Sequence, residues 1–535
     1  MNHFRLFFWS LTAALAGFLF GFDTVVISGA EQKIQALWSL GDGAHGLAMS
    51  MALWGTVVGS LIGGFPTERF GRKKTLLSIG ILYFVSAVGS AYAPEVYSFM
   101  FARFIGGLGV GISTVAAPLY IAEIAPAHLR GRLAGLFQFN IVFGILVAFL
   151  SNSLLSGIGE NAWRWMMGVE AFPALLYSVL CFGIPESPRW LIVHGGDRTA
   201  GLNVFRRISP EMTNEELEAK ADEVIASRGE AKTAGKFWTS RLKVPIMLAF
   251  LIAFFNQLSG INAILYFAPR IFELTGLGAK AALLQSVGIG VTNLVFTFVG
   301  LWLIDRLGRK TLLYIGSFGY IISLGLCAAA FLFYAPQFKV ATTSMTVMRS
   351  IEKMDKAQQS EFYTVEDRAA LGQDYEAAKM ALVEASSNEA YLGEAVVVPA
   401  DVTPASMTET AAAALSAAAE FTGAGSKIVL LCIFAFIAAH AIGQGAVIWV
   451  FIGEIFPNRN RASGQALGSF THWIFAAMLT LFFPIAISRV SPGYVFGFFC
   501  FMMCLQLVWV KLMVIETKGI SLEEIQEELG IPEAT

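Results

Sequence analysis

An aspartate stands alone in an apolar run near the start of this chain. Asp23 interrupts the stretch from Phe7 to Ala30. An ionisable group inside a membrane helix costs about 2.5–3.5 kcal/mol and is functional by default. If successive apolar runs alternate in direction, Asp23 lies roughly 10 Å below the end of its run. Arg103, in the fourth run, then reaches the same level. Protonation of such a paired acid would release the arginine; a static structural pair is the plainer reading. A second group is neutral. Asn256, Gln257, Asn262 and Tyr266 fall along one run, the last three at spacings of five and four on one broad helical face, and Asn293 sits mid-way along the next. An amide offers both donors and an acceptor, which suits an uncharged, hydroxyl-bearing solute. Singly, each amide also reads as glue between helices.

A third set lies at run ends and repeats. Glu68-Arg69-Phe70-Gly71-Arg72 recurs as Asp305-Arg306-Leu307-Gly308-Arg309. Glu123 with Arg130 recurs as Glu454 with Arg461, again seven apart, and Glu186 after the sixth run matches Glu516 after the twelfth. Bases alone would be topology signals, since Lys and Arg favour the cytoplasmic side. The matched acids point further, to charge-assisted pairs between helices within each half.

The elements that must carry these residues follow from composition. Of 535 residues 56% are hydrophobic and only 14% charged, where a soluble domain carries roughly a quarter charged. Twelve runs are expected near 8–30, 48–66, 74–92, 97–121, 133–155, 166–184, 244–272, 282–304, 311–334, 427–452, 463–488 and 493–514, each long enough to cross a bilayer. The first is too long for a leader's apolar core and reads as a retained helix. The expected units are a first six-helix bundle over 1–185, a linker over 186–242, helices 7–9 over 243–335, an insertion over 336–426, helices 10–12 over 427–514 and a tail over 515–535. The basic loops and the linker put both termini in the cytoplasm and the acidic insertion outside; within it, Glu366 to Ala385 reads as a polar helix. Repeated halves describe an all-α membrane protein of two pseudo-symmetric bundles with a site between them. The net charge of −2 offers no field for nucleic acid, and no catalytic, metal or cofactor motif is visible. The five cysteines all lie in apolar runs and read as small buried hydrophobes.

These strings resemble the major facilitator superfamily and, within it, the sugar porters. The superfamily likeness rests on Glu68 to Lys73 and Asp305 to Lys310; Pro185-Glu186-Ser187-Pro188-Arg189-Trp190 and Gln257-Leu258-Ser259-Gly260-Ile261-Asn262 are specific to sugar porters. The resemblance covers the chain outside 336–426. It implies a cell-membrane carrier of a monosaccharide, hexose or pentose, working by alternating access. Asp23 would take the proton and Arg103 modulate it. Glu68, Arg72, Glu123, Arg130, Glu186, Asp305, Arg309, Glu454, Arg461 and Glu516 would form a gating network on the cytoplasmic side. Gln138, Gln257, Asn262, Tyr266 and Asn293 match sugar-contacting positions, with Phe20 and Trp473 as aromatic faces.

Departures bear on the cargo. Asn256 replaces a glutamine, Gln444 stands where glucose and xylose carriers place tryptophan, and His440 and His472 enter the same layer. His440 with Gly443, and His472 with Trp473, resemble the animal fructose facilitator, which implies fructose among the candidate hexoses. Two alternatives to symport stay open: a uniporter with the same site, and a sugar sensor that does not transport.

Overall fold

The computed structural model describes residues 3–126, 129–231, 237–359, 364–387, 404–457, 460–520 and 522–531. Within them every regular element is helical. Twelve helices are long and apolar enough to cross a membrane: helix 1 Phe4–Gly29, helix 2 Asp42–Ile62, helix 3 Arg72–Tyr92, helix 4 Val96–Ile124, helix 5 Arg132–Leu155, helix 6 Ala162–Phe182, helix 7 Ser240–Tyr266, helix 8 Ala279–Leu307, helix 9 Arg309–Phe333, helix 10 Gly423–Ile455, helix 11 Arg461–Arg489 and helix 12 Pro492–Met513. Leu175, Val179 and Phe182 on helix 6 and Phe318, Ile322 and Leu326 on helix 9 are exposed at helical spacing, as apolar faces turned to lipid would be.

Lipid tails are as apolar as leucine, so small residues that let backbones approach must hold such helices together. Gly55 and Gly59 of helix 2 meet Gly107 and Gly111 of helix 4, four residues apart on each. Gly17 and Gly21 of helix 1 lie against backbone carbonyls of helix 5. The seam between halves is made by helix 2 on helix 11 and helix 5 on helix 8.

Two helices expected to be continuous are broken. Helix 7 stops at Leu258, Gly260 takes a left-handed conformation (φ 88°), and two short helices, Ile261–Tyr266 and Ala268–Glu273, follow. Only glycine fits there, because a Cβ would strike the Phe499 ring. Helix 10 breaks at Gly443 (φ −84°, ψ −106°), where Gly316 of helix 9 presses against it.

Short helices Pro188–Val193, Arg198–Ile208 and Asn214–Ala231 follow helix 6. Their Ile192, Phe205 and Leu217 join the core beneath the first half. The residues around 336–426 are more ordered than a loop. Ala335–Gln359 continues outward from helix 9, Val365–Ser386 stands where Glu366–Ala385 is expected to be helical, and Pro404–Ile442 runs directly into helix 10. Val347, Ile351, Leu382, Met407 and Ala411 give these three a core of their own. Cys181, Cys327 and Cys432 are buried, but Cys504 is exposed on helix 12, facing outward rather than packed as expected.

Candidate functional site

Helices 7, 10 and 11 bring the neutral residues together. Gln257 is fully buried; its Nε2 lies 3.0 Å from Asn256 Oδ1 and 3.1 Å from the imidazole of His472, and its Oε1 accepts from Asn262 Nδ2 at 2.7 Å. That last bond spans the break at Gly260. The His472 ring packs edge-on to Trp473 (centroids 4.7 Å) and against Trp449 (5.3 Å), and Trp473 meets Phe20 of helix 1 at 5.5 Å. The aromatic wall thus joins both halves. Tyr266 is buried one turn past Asn262. His440 is placed differently: its Nδ1 lies 2.8 Å from the Tyr320 hydroxyl of helix 9, which ties it between helices.

Several polar groups here lack partners. Gln444 is wholly buried, yet neither its oxygen nor its nitrogen finds a hydrogen bond, and the Trp473 indole N–H is likewise unmatched. Buried amides are paired in almost all folded proteins, so the unpaired Gln444 makes this layer the candidate site. Asn293 on helix 8 is nearly buried and Gln138 on helix 5 half-buried.

Charge lies apart from this wall, within the first half. Arg103 Nη1 donates to Asp23 Oδ1 at 2.6 Å and Nη2 to the Asp23 carbonyl at 2.9 Å, both residues being 1% exposed. Beside them stands a third ionisable residue, Glu170 of helix 6, also 1% exposed. Neither Glu170 oxygen nor Asp23 Oδ2 receives a hydrogen bond. The buried cluster thus holds two carboxyls and one guanidinium, and the guanidinium bonds only Asp23. Glu170 carries the same local signal as Asp23, an acid inside an apolar run.

The repeated ends form two copies of one cluster. In the first half Arg72 grips Glu123 with Nε and Nη2 at 2.9 and 2.8 Å, while Glu186 accepts from the backbone N–H groups of Arg72 and Lys73 at 2.8 and 3.1 Å. In the second, Arg309 grips Glu454 at 3.0 and 2.7 Å and Glu516 accepts from Arg309 and Lys310 at 2.8 and 3.1 Å. Gly71 (φ 94°) and Gly308 (φ 90°) aim those N–H groups, and a Cβ on either would strike the glutamate. Burial pushes the Glu186 carboxyl up despite the backbone donors.

Other expected members lie outside the grip. Glu68 is exposed, and it is its backbone carbonyl that takes the Trp190 indole at 2.7 Å. Asp305 is 84% exposed and 3.5 Å from Arg309. Arg461 is exposed and forms no ion pair among the described residues. The bidentate grip on Glu123 and Glu454 already occupies each arginine, which leaves Glu68 to water and gives Asp305 only a longer, exposed pair with Arg309. Arg130 opens its helix, but its side chain lies outside the described residues.

With this geometry, the family follows from comparison with known proteins. The profile described as sugar (and other) transporter matches residues 9–351 and 403–529. The chain belongs to the sugar transporter family. Of the stretch between the matches, 352–402, residues 352–359 and 365–386 lie in the added helices. Similar sugar transporters include a glucose transport protein of Synechocystis, 30% identical over 96% of this chain and 95% of that protein. The D-xylose-proton symporter of Escherichia coli is 28% identical over 99% and 97%. Among solved structures, the partially occluded inward-open xylose transporter XylE of E. coli matches with a TM-score of 0.69 and 27% identity, over 97% of this chain and 99% of that one. The sugar transporter therefore has the major facilitator fold, and the amide and aromatic layer lies between its halves.

Proposed function

We propose that the chain imports a monosaccharide together with a proton by alternating access, across a cell membrane, with the basic clusters and both termini in the cytoplasm. The observation that carries proton coupling is the buried trio of Asp23, Arg103 and Glu170. Its two acids and one base leave three carboxyl oxygens without donors, and a proton is the cation small enough to match them in a closed, dry site. A similar protein named as a D-xylose-proton symporter supports the reading. The uncharged layer of Gln257, Asn262, Gln444 and Trp473 supports a neutral polyhydroxy cargo, a hexose or pentose with fructose among them. Gln444 puts a hydrogen-bonding amide where an indole would stack on a ring face.

Reconstitution in liposomes under an imposed proton gradient tests this, with fructose, glucose, xylose, galactose and polyols as cargo. Accumulation that collapses with the gradient is expected. Counterflow without accumulation would make the chain a uniporter.

A further inference from the structure

At the end of the molecule opposite the basic clusters, a second set of charges joins the two halves. Glu31 opens the short helix Glu31–Leu37 that follows helix 1, and it is wholly buried. Arg270, in the other half, donates to it twice: Nε to Oε1 at 2.9 Å and Nη2 to Oε2 at 2.6 Å. His45 of helix 2, equally buried, brings Nε2 to 2.8 Å of the same Oε2. Arg270 Nη2 also reaches Gln35 Oε1 at 2.6 Å, and Gln32 donates to Glu273 at 3.1 Å. Beside them Ser488 of helix 11 donates to Asp42 of helix 2 at 2.6 Å.

The position of Arg270 gives the cluster its meaning. Arg270 lies on Ala268–Glu273, beyond the breaks in helix 7, so it sits on a piece of chain separate from Asn256 and Gln257. The added helices hold the same piece. Arg349 of Ala335–Gln359 donates to Glu273 at 2.8 Å, and just past that piece Gly276 packs on Ala341 while Ser426 at the start of helix 10 donates to the Thr275 carbonyl at 2.8 Å. A buried carboxylate whose main partner belongs to the other half is neutralised only while the halves meet, and an unmatched buried charge is expensive. The contact is therefore conditional on conformation: parting the halves must admit water to both charges.

We infer that Glu31, His45 and Arg270 form the latch that keeps the exterior ends of the two halves closed, and that Arg349, through Glu273, steadies its receiving side. The inference rests on the alternating-access reading and on the orientation proposed above.

Spin labels at Leu37→Cys and Lys280→Cys, both exposed and on opposite halves, report the opening in full-length protein whose native cysteines are replaced by serine. The measurement needs neither sugar nor a proton gradient. In otherwise unaltered protein the short distance should dominate. Glu31→Gln and Arg270→Gln should raise the long-distance population at least threefold, and Arg349→Ala should raise it less. Unchanged distance distributions in folded Glu31→Gln and Arg270→Gln protein overturn the latch, whatever the cargo proves to be. If those buried variants fail to fold, Arg349→Ala, at a side chain 44% exposed, carries the test, and an unchanged distribution there overturns the proposal.

Discussion

Gln257 Nε2 stands 3.1 Å from the His472 imidazole while its Oε1 holds the Asn262 amide at 2.7 Å. One side chain thus links helix 11 to both pieces of helix 7. Replacing it with alanine leaves three buried polar groups, on Asn256, Asn262 and His472, short of a partner, at about 1–3 kcal/mol for each unsatisfied group. Gln257→Ala should weaken sugar binding by roughly tenfold or more on that scale, measured as the half-saturation of counterflow.

Gln444 separates affinity from stability. Its amide is buried with no hydrogen-bond partner among the described residues, so Gln444→Leu removes a desolvation cost without breaking a bond. Thermal unfolding of the unliganded variant should occur at the same temperature or higher. Sugar-induced stabilisation, measured in the same melts, should shrink.

The Asp23–Arg103–Glu170 trio distinguishes coupling from binding. Asp23→Asn should abolish gradient-driven accumulation while counterflow persists, and Glu170→Gln should reduce accumulation with a shifted pH profile. Arg103→Ala strands both acids and should destabilise the fold by about 3–5 kcal/mol, as loss of one partner from a buried pair does. Accumulation undiminished in Asp23→Asn would refute its proton role.

The twin glycines make a matched prediction. Gly71→Ala and Gly308→Ala each force a side chain into positive φ and against a glutamate, a strain on the order of 1–3 kcal/mol. Both should melt earlier than the parent protein in detergent and by similar amounts, since the two clusters share one geometry.

Glu31 sets the sign of the latch's pH response. Burial pushes its carboxyl up, but the Arg270 charge and the hydrogen bonds from His45 and Arg270 together pull it down further, below its ordinary 4.5. A carboxyl held low contributes its full pairing above the ordinary value and loses it as pH falls through the lowered one. Through Glu31 the exterior should stay closed from neutral pH down to 4.5 and loosen below that. Spin-label distances recorded across this range check it, and an opening centred near neutrality would exclude Glu31 as the titrating group.

The twelve helices and their pairing into halves were legible because apolar runs and matched Glu and Arg positions are local signals. Asp23 and Arg103 were readable as partners because depth along a membrane helix follows from counting residues. The grip of Arg72 on Glu123 was not separable from a looser network including Glu68, since spacing does not say which acid the guanidinium reaches first. His440 looked equivalent to His472 by type and layer, and only the Tyr320 hydroxyl, on a helix distant in sequence, distinguishes them. Arg270 and Glu31 do not stand out in the sequence: Glu31 lies just beyond the first apolar run and Arg270 just inside the end of the seventh, where a charge is ordinary.

The left-handed turn at Gly260 divides helix 7 inside the proposed binding layer. Asn256 and Gln257 lie on one arm; Asn262 and, farther out, Arg270 lie on the other. The 2.7 Å bond from Asn262 to Gln257 straps the two arms together. Under the proposed function, a cargo hydroxyl that claims Gln257 Oε1 would cut that strap and free the outer pieces of helix 7 from the inner one.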